Sequence, residues 1–175
     1  MRVECSIECK KFLKKQEIAD VLSVNEENLI VNGGNLKCRG LLYYDYAILV
    51  KLKDKVIGYT LLAENCLLDN SIYVMQVAVA NGYKHQGIGS AMYDYVKKYA
   101  KNYEYFTANV QPFNTSSLNF HHKQGFKEFG EKGPYGFQLS VKVNAKLSFK
   151  DAQPEVFYIN QIDDKNEDNK NEVIL

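Results

Sequence analysis

Alternating apolar and polar positions along the chain predict a mainly β structure with helices between groups of strands. Residues 3–9 (VECSIEC) alternate and predict a first strand. The apolar runs at 46–52 and 56–64 are separated by three polar residues with Asp54 in the turn, which predicts a β-hairpin. A third run at 71–80 follows it. Later apolar runs predict strands at 105–110, 126–130 and 135–143.

Helical periodicity is clearest after the strand at 71–80. Between 88 and 101 the apolar residues recur at i, i+4, i+7, i+8 and i+11, which is one face of an α-helix: Ile88, Met92, Tyr95, Val96 and Tyr99. Another helix is predicted at 12–22, with Ile18, Val21 and Leu22 on one apolar face. A short helix is predicted at 115–124, where Gly125 supplies the left-handed residue that ends it.

Three segments stand apart from this pattern. Residues 25–46 contain the pair Gly33-Gly34 and the stretch LLYYDY, and we expect a loop or short helix over a site there. The run PEVFYI at 154–159 predicts a strand that extends the sheet or pairs with a partner chain, so a homodimer is one expectation. From 163 to 175, five acidic residues against two lysines predict a solvated tail. We therefore divide the chain into a domain at 1–145 and a C-terminal extension at 146–175.

Composition narrows the functional classes. The 175 residues fit one domain, and 46% apolar and 25% charged residues are ordinary for a soluble protein. The chain has no apolar run of 18 residues and no secretory signal at its start, so we expect a cytoplasmic location and no membrane partner. A net charge of +1 does not favour nucleic acid. The four cysteines form no CxxC pair, so we expect no metal site.

The segment GYKHQGIGSAM, at 82–92, lies between a predicted strand and the clearest predicted helix. A glycine loop in this place surrounds an anion with unpaired backbone N–H groups and the positive end of a helix dipole. A nucleoside triphosphate site is excluded, because Ile88 and Gly89 stand where a P-loop needs Lys and Ser or Thr. A dinucleotide fingerprint is weak, because Met92 occupies its third glycine position. A tight turn without a ligand is the alternative.

A second motif lies about 25 residues further along the chain. The run VAV at 77–79 is followed by KHQGIG at 84–89, and then by NTSSLNFHHKQGF at 114–126. With both motifs in this order, and with the predicted strands up to about 143, the chain resembles the GNAT superfamily of acetyl-CoA-dependent N-acetyltransferases. The resemblance implies a mixed α+β fold: a mostly antiparallel central sheet flanked by helices, with a V-shaped splay between the strands at 73–80 and 105–110.

The resemblance also implies how acetyl-CoA would bind. Backbone groups of Val77 and Val79 would pair with the pantetheine arm, and Asn114 would hydrogen-bond the arm near its thioester. Lys84 replaces the usual Arg or Gln and would still supply positive charge, without the planar fork of Arg. Ser117 would lie beside the cofactor, together with His121. The N–H groups that would hold the pyrophosphate belong to His85, Gln86, Gly87, Ile88, Gly89 and Ser90.

The implied activity is direct transfer of the acetyl group from acetyl-CoA to an amine in a ternary complex, with a small-molecule or peptide amine as acceptor. His121 stands where the family usually has the tyrosine that protonates the leaving thiolate, so it either acts as that acid or only fills the space. Glu64, at the end of a predicted strand, is the candidate general base. Asp45 is a candidate partner for a cationic amine.

Two other functions stay open at this point. The replaced tyrosine and the poorly defined base are compatible with a non-catalytic, acyl-CoA-binding regulatory module. A toxin-like acetyltransferase acting on aminoacyl-tRNA is a further alternative, but the near-neutral charge argues against it because recognition of phosphates favours a basic surface.

Overall fold

The computed structural model describes residues 1–28, 30–31, 34–35, 39–133 and 136–160, and side chains outside 29–40. Within these ranges the chain forms ten strands and three α-helices. Their bounds are β1 (Arg2–Lys10), α1 (Lys15–Asn28), β2 (Ile30–Val31), β3 (Gly34–Asn35), β4 (Tyr46–Leu52), β5 (Lys55–Glu64), β6 (Ser71–Val79), α2 (Ile88–Tyr99), β7 (Tyr105–Val110), α3 (Thr115–Lys123), β8 (Lys127–Glu128), β9 (Phe137–Lys142) and β10 (Glu155–Asn160).

Eight of the strands form one sheet in the order β10-β1-β4-β5-β6-β7-β9-β8. Every neighbouring pair is antiparallel except β6 and β7, which are parallel. β2 and β3 form a separate two-stranded pair. The predicted mixed α+β fold with a mostly antiparallel sheet is therefore confirmed. Among the described helices, none is long and apolar enough to cross a membrane.

Each face of the sheet carries its own apolar cluster. On one face, here called the α2 face, α2 packs its predicted stripe against β4, β5 and β6, and the aromatic rings of Tyr93, Phe106 and Phe126 contact one another there. On the other, the α1 face, Val21 and Val24 of α1 pack on apolar residues of β4, β5 and β6. The sheet is thus covered by helices on both sides over its central strands.

The predicted buried face of α1 is confirmed at Val21 but wrong at Ile18 and Leu22. Ile18 and Leu22 are 39% exposed, and α1 instead buries three polar residues next to its two valines: Glu17, Asp20 and Asn25. These polar groups have partners on strands far away in the sequence. Asp20 Oδ2, for example, accepts the backbone N–H of Val56 at 3.1 Å. The helix is also displaced from its predicted position, because it begins at Lys15 and continues to Asn28.

Glu17 anchors α1 to the sheet through a buried ion-pair network. Its Oε1 accepts hydrogen bonds from Lys10 Nζ (2.6 Å) and Lys51 Nζ (2.8 Å), and its Oε2 accepts the Lys14 N–H (2.7 Å). Burial by itself would raise the pKa of Glu17, but these hydrogen bonds outweigh it and lower the pKa to about 2. Lys51 also pairs with Glu8 at 2.5 Å. The start of α1 is therefore fixed electrostatically over β1 and β4.

The predicted strand at 154–159 is β10, and it pairs with β1 at the edge of the main sheet. It also lies along α2. Tyr95 Oη donates to the carbonyl of Gln153 (2.7 Å), and the Glu155 carboxylate pairs with Lys98. At the other end of the strand, the Asn160 N–H donates to Gln86 Oε1 (3.2 Å) in the glycine loop before α2. The division into a domain at 1–145 and an extension at 146–175 stays a prediction.

Other predicted elements agree closely with the structure. The hairpin at 46–64, the strand at 71–80 and the helix at 88–101 are β4–β5, β6 and α2. Gly125 has φ +89° after α3, as the helix end requires. In the segment 25–46, for which a loop or short helix was expected, residues 25–28 belong to α1 and residues 39–42 form a 3₁₀ turn. Gly33 and the predicted tail at 163–175 lie outside the described residues.

Candidate functional site

The parallel strands β6 and β7 separate along their length. They are paired from Ser71↔Tyr105 to Val74↔Ala108. In β6 the register against β5 then shifts by one residue at Met75, which is a β-bulge. Beyond this point the described residues of the two strands form no further pairs, so a gap opens between 75–79 and 109–110. This gap, here called the cleft, is the predicted V-shaped splay, and the fold confirms it.

One wall of the cleft is a strand edge with backbone groups directed into it. The Ala80 N–H donates to the Ile57 carbonyl of β5 (2.8 Å). Because backbone groups alternate in direction along a strand, the N–H and C=O groups of Val77 and Val79 point away from β5, into the cleft. Asn28 Nδ2, at the end of α1, donates to the Val79 carbonyl (2.9 Å). The edge predicted to pair with a pantetheine arm therefore faces the cleft, and its Val79 carbonyl already accepts a hydrogen bond from Asn28.

The glycine loop lies at the open end of the cleft. After a 3₁₀ turn at Asn81–Tyr83, His85 and Gly87 both adopt left-handed conformations, with φ of +61° and +80°. Gly87 is the N-cap of α2, and because it has no side chain it provides no capping hydrogen bond to this helix start. The first helical hydrogen bond is from Ala91 N–H to the Gly87 carbonyl, so the N–H groups between them remain for an anion.

The predicted loop residues differ in what their side chains do. Lys84 and His85 are exposed. Gln86 uses its Oε1 to accept the N–H at the end of β10. A Cβ on Gly89 would lie 3.3 Å from the Phe120 ring, so glycine here permits close packing of α2 on α3. Across the same contact, Gln124 Nε2 donates to Ser90 Oγ (3.0 Å).

Asn114 begins α3 beside the cleft. Its Oδ1 accepts the Ser117 N–H at 3.1 Å, which is a helix N-cap. The cap uses only the oxygen of the amide, so the NH₂ group of this exposed side chain is available to a ligand. Asn114 and Ser117 therefore have a structural role, and their contact with a cofactor stays a prediction.

His121 is buried, with 2% of its surface exposed. Its Nδ1 lies 2.7 Å from the Ser117 carbonyl, and its Nε2 lies 2.8 Å from Tyr93 Oη. A carbonyl can only accept, so Nδ1 carries the hydrogen and Nε2 accepts from the tyrosine. Burial lowers the pKa of His121, which favours this neutral form. These contacts favour the space-filling role over the general acid, which stays a prediction.

Glu64 lies at the closed end of the two strands. It pairs in register with Ile72, where β6 and β7 are still joined. Its carboxylate accepts a hydrogen bond from the Tyr103 hydroxyl, and its N–H donates to Asp45 Oδ2 (2.9 Å). Burial and the nearby Glu64 raise the pKa of Tyr103. The structure does not bring Glu64 to the cleft, and its role as general base stays a prediction without support from these contacts.

Two residues beside the cleft were not identified from the sequence. Asn28 caps the Val79 carbonyl, and no local pattern indicates a contact between residues 51 positions apart. Asn109 lies on β7 directly after the last pair with β6. The sequence of β7 could have indicated Asn109, because it is the polar residue between the buried Ala108 and Val110. It lies at the point where the two strands part.

Comparison with known proteins agrees with this architecture. The family model for the acetyltransferase (GNAT) family matches residues 25–126. Similar solved structures include a GNAT-family acetyltransferase from Staphylococcus aureus (TM-score 0.59, 15% identity, 79% of this chain and 99% of that one). Another is the PaiA N-acetyltransferase from Thermoplasma acidophilum in complex with coenzyme A (0.60, 17%, 78% and 98%).

A third similar structure is Naa50 from Arabidopsis thaliana in complex with the bisubstrate analogue CoA-Ac-MVNAL (TM-score 0.59, 16% identity, 77% of this chain and 97% of that one). At these identities the solved structures establish a shared fold. The family model covers more than half of the 175 residues, including the cleft, the glycine loop and α3. The chain therefore belongs to the GNAT acetyltransferase family.

Proposed function

We propose that the protein transfers the acetyl group of acetyl-CoA to an amine, by direct attack within a ternary complex. One observation carries the proposal: an edge of β6 that pairs with no other strand among the described residues is followed by the glycine loop and the start of α2, which Gly87 leaves without a side-chain cap. The edge fits the amides of a pantetheine arm, and the helix start fits a pyrophosphate. The two lie in sequence on one continuous path, as coenzyme A requires.

The groups of this chain would act as follows. Acetyl-CoA supplies an activated acetyl thioester. Val77 and Val79 offer N–H groups along the cleft that can orient the arm and stabilise negative charge on the thioester oxygen. The N–H groups of Gly87 to Ser90 and the charge of Lys84 bind phosphate oxygens. Since His121 is neutral and bonded through both nitrogens, the thiolate takes its proton from solvent in this proposal.

Isothermal titration calorimetry with acetyl-CoA tests the cofactor part of the proposal. We expect stoichiometric binding of acetyl-CoA. S-acetylpantetheine, which retains the thioester and arm but lacks the nucleotide and pyrophosphate, should bind much more weakly because it leaves the helix start without its anion. The absence of acetyl-CoA binding would contradict the proposal, and equal affinity for both compounds would contradict the role of the glycine loop.

A non-catalytic acyl-CoA-binding module is the second candidate. The observation that favours it is the absence, among the described residues, of a free acid or base at the cleft: His121 is bonded on both sides and Glu64 lies at the closed end. Thiol release from acetyl-CoA in the presence of a panel of amines separates the two functions. Turnover that depends on the amine supports the acetyltransferase, whereas tight binding without thiol release supports the module.

A further inference from the structure

Asn109 Oδ1 is the one buried side-chain oxygen or nitrogen atom that lacks a hydrogen-bond partner among the described residues. Buried amide oxygens nearly always have a partner, because leaving one without costs free energy. The atom lies where β6 and β7 part: Ala108 is still paired with Val74, and Asn109 is the next residue. A hydrogen-bond donor from a ligand in the cleft would satisfy it.

The side of the sheet on which Asn109 lies is the α1 face. Its neighbours Ala108 and Val110 belong to the apolar cluster on the α2 face, so the alternation of β7 places Asn109 on the opposite side. There α1 packs on β4, β5 and β6, and the residues of β7 and β9 that share this face are polar: Tyr105, Thr107, Gln138, Ser140 and Lys142. The α2 face is closed by α2, α3 and their aromatic rings. Among the described residues, the polar surface beside Asn109 on the α1 face is therefore the side from which we expect an acceptor to approach the cleft.

We propose that Asn109 Oδ1 accepts a hydrogen bond from the attacking amine, and that the physiological acceptor is an α-amine or another amine of similarly low pKa. This inference rests on the proposed acetyltransferase function. A side-chain amide can orient an N–H group, but it cannot take up the proton of an ammonium ion. Asn109 is therefore a positioning residue, and the nucleophile must arrive already neutral.

Among the residues that the structure describes up to 160, the strands around Asn109 supply no carboxylate base in its place. By register, the titratable residues on this face of the neighbouring strands are Tyr73, Tyr105, Lys127 and Lys142. Burial raises the pKa of Tyr73, so it is a neutral phenol at physiological pH. The internal segments outside the description, 29, 32–33, 36–38 and 134–135, contain no Asp or Glu in their sequence.

Asp20 of α1 faces the sheet and accepts the Val56 N–H (3.1 Å), and Glu26 of α1 and Glu128 of β8 are exposed. Besides these and Glu64, three further carboxylates come from the elements around the cleft. Asp45 accepts the Glu64 N–H (2.9 Å) at its closed end, and Glu27 of α1 accepts the Asn81 N–H (2.8 Å) after β6. Glu131 is exposed in the turn between β8 and β9. Asp45 and Glu27 thus each already accept a backbone N–H, and the variant Glu131→Gln tests the third carboxylate.

The pKa of the acceptor then decides which amines react. An α-amine with a pKa of about 7.7–8.0 is about one-tenth neutral at pH 7, whereas a lysine amine with a pKa of about 10.4 is neutral in roughly one molecule in 2,500. At equal total concentration, the neutral α-amine is therefore about 300-fold more abundant than the neutral lysine amine at pH 7, and without a base this abundance favours the α-amine. In the reaction, the nitrogen lone pair forms the N–C bond, the C–S bond breaks, the nitrogen loses one proton to water, and the thiolate gains one from water.

The test uses the full chain, acetyl-CoA and thiol release from pH 6.5 to 9.5. The acceptors are two lysine-free peptides whose α-amine pKa values, measured by NMR titration, differ by about one unit, and an N-acetylated peptide with one lysine. We expect the inflection of kcat/KM to follow the α-amine pKa of each peptide, and the lysine peptide to react more slowly at pH 7, where about 300-fold less of its amine is neutral. An inflection at one pH for both peptides, or equal use of the lysine peptide, would overturn the inference.

Two variants of Asn109 distinguish a role in positioning the amine from a purely structural role. Asn109→Leu, of similar size, should raise KM for the α-amine about ten-fold, with a smaller change in kcat and no change in the Kd of acetyl-CoA. Asn109→Asp keeps an oxygen acceptor and adds a base, so it should make the pH inflection independent of the peptide and improve use of the lysine peptide. Glu131→Gln is the matched control and should leave the pH profile unchanged.

The outcomes distinguish this inference from the proposed function. An unchanged amine KM in Asn109→Leu, or an equal rise in the Kd of acetyl-CoA, overturns the role of Asn109 alone. A pH inflection lost in Glu131→Gln assigns the base to that residue and also overturns the inference. No binding of acetyl-CoA, or no thiol release with any amine, counts against the acetyltransferase itself.

Discussion

Replacing Glu17 by Gln should destabilise the protein in a pH-dependent way. Glu17 is 4% exposed and accepts hydrogen bonds from Lys10 and Lys51. Its pKa falls from an ordinary value of 4.5 to about 2 on folding. A difference of about 2.5 pKa units corresponds to roughly 3 kcal/mol of stability, at 1.36 kcal/mol per unit. Glu17→Gln keeps an oxygen for the Lys14 N–H and removes the charge.

The sign of the pH dependence follows from the lowered pKa. Because the folded protein holds this carboxylate charged to a lower pH than the unfolded chain does, the contribution of Glu17 is complete above about pH 4.5. It is lost as the pH falls to about 2. The free energy of unfolding of the wild type should therefore exceed that of Glu17→Gln by roughly 3 kcal/mol at pH 7, and the two should converge at pH 2.

Urea unfolding followed by circular dichroism, at intervals from pH 7 to pH 2, measures this difference. The matched control is Glu104→Gln, which removes a carboxylate 4.0 Å from Lys142 at the surface, where the two side chains are 46% and 74% exposed. The control should change stability by less than about 1 kcal/mol at any pH. A loss below about 1 kcal/mol for Glu17→Gln at pH 7, or a loss that stays constant down to pH 2, would refute the reasoning.

Two further variants test the glycine loop and His121. Gly87→Ala should raise the Kd of acetyl-CoA about five- to ten-fold by calorimetry, because alanine disfavours a φ of +80°. The control is Gly130→Ala, which has a φ of +61° and also lacks nearby atoms that a Cβ would meet. This control should carry similar backbone strain and leave the Kd unchanged. Equal Kd values for the two variants would count against the loop. His121→Phe should cost about 1–3 kcal/mol in unfolding free energy, because it leaves the Tyr93 hydroxyl without its acceptor. The imidazole signal that disappears in this variant should titrate below 6.5 by NMR, so that its contribution to stability is lost as the pH falls below 6.5. A His121 pKa at or above 6.5 would contradict the buried neutral form.

Local patterns were sufficient for most of the strands and for α2. The stripe of α2 was predicted because its residues all belong to one apolar cluster, so their hydrophobic spacing carries the signal even though Tyr95 also donates to the Gln153 carbonyl. The buried face of α1 was mispredicted, because Asp20 and Glu17 are buried through partners on β1, β4 and β5. A polar residue looks exposed in the sequence until the chain brings it such a partner.

In the candidate site, too, local features were predictable from the sequence and features that depend on long-range contacts were not. The glycine loop was predictable because left-handed residues and a helix start are local features, and Gly87 has the expected conformation. The chemistry was not predictable, because it depends on which side chains the sheet brings to the cleft. Glu64 lies at the closed end, His121 is bonded to Tyr93, and Asn109 depends on the register of β6 against β7.

The position of β10 has a consequence for the order in which the chain can fold during synthesis. β1 is made first, but its outer edge pairs with β10, so Arg2 meets Asn160 only when nearly the whole described chain has left the ribosome. Until then β1 is a free sheet edge. Asn160 also donates to Gln86 Oε1, so the glycine loop receives this support from the last of the described strands. A nascent chain should therefore acquire its cofactor affinity abruptly near residue 160, after most of its sheet has formed.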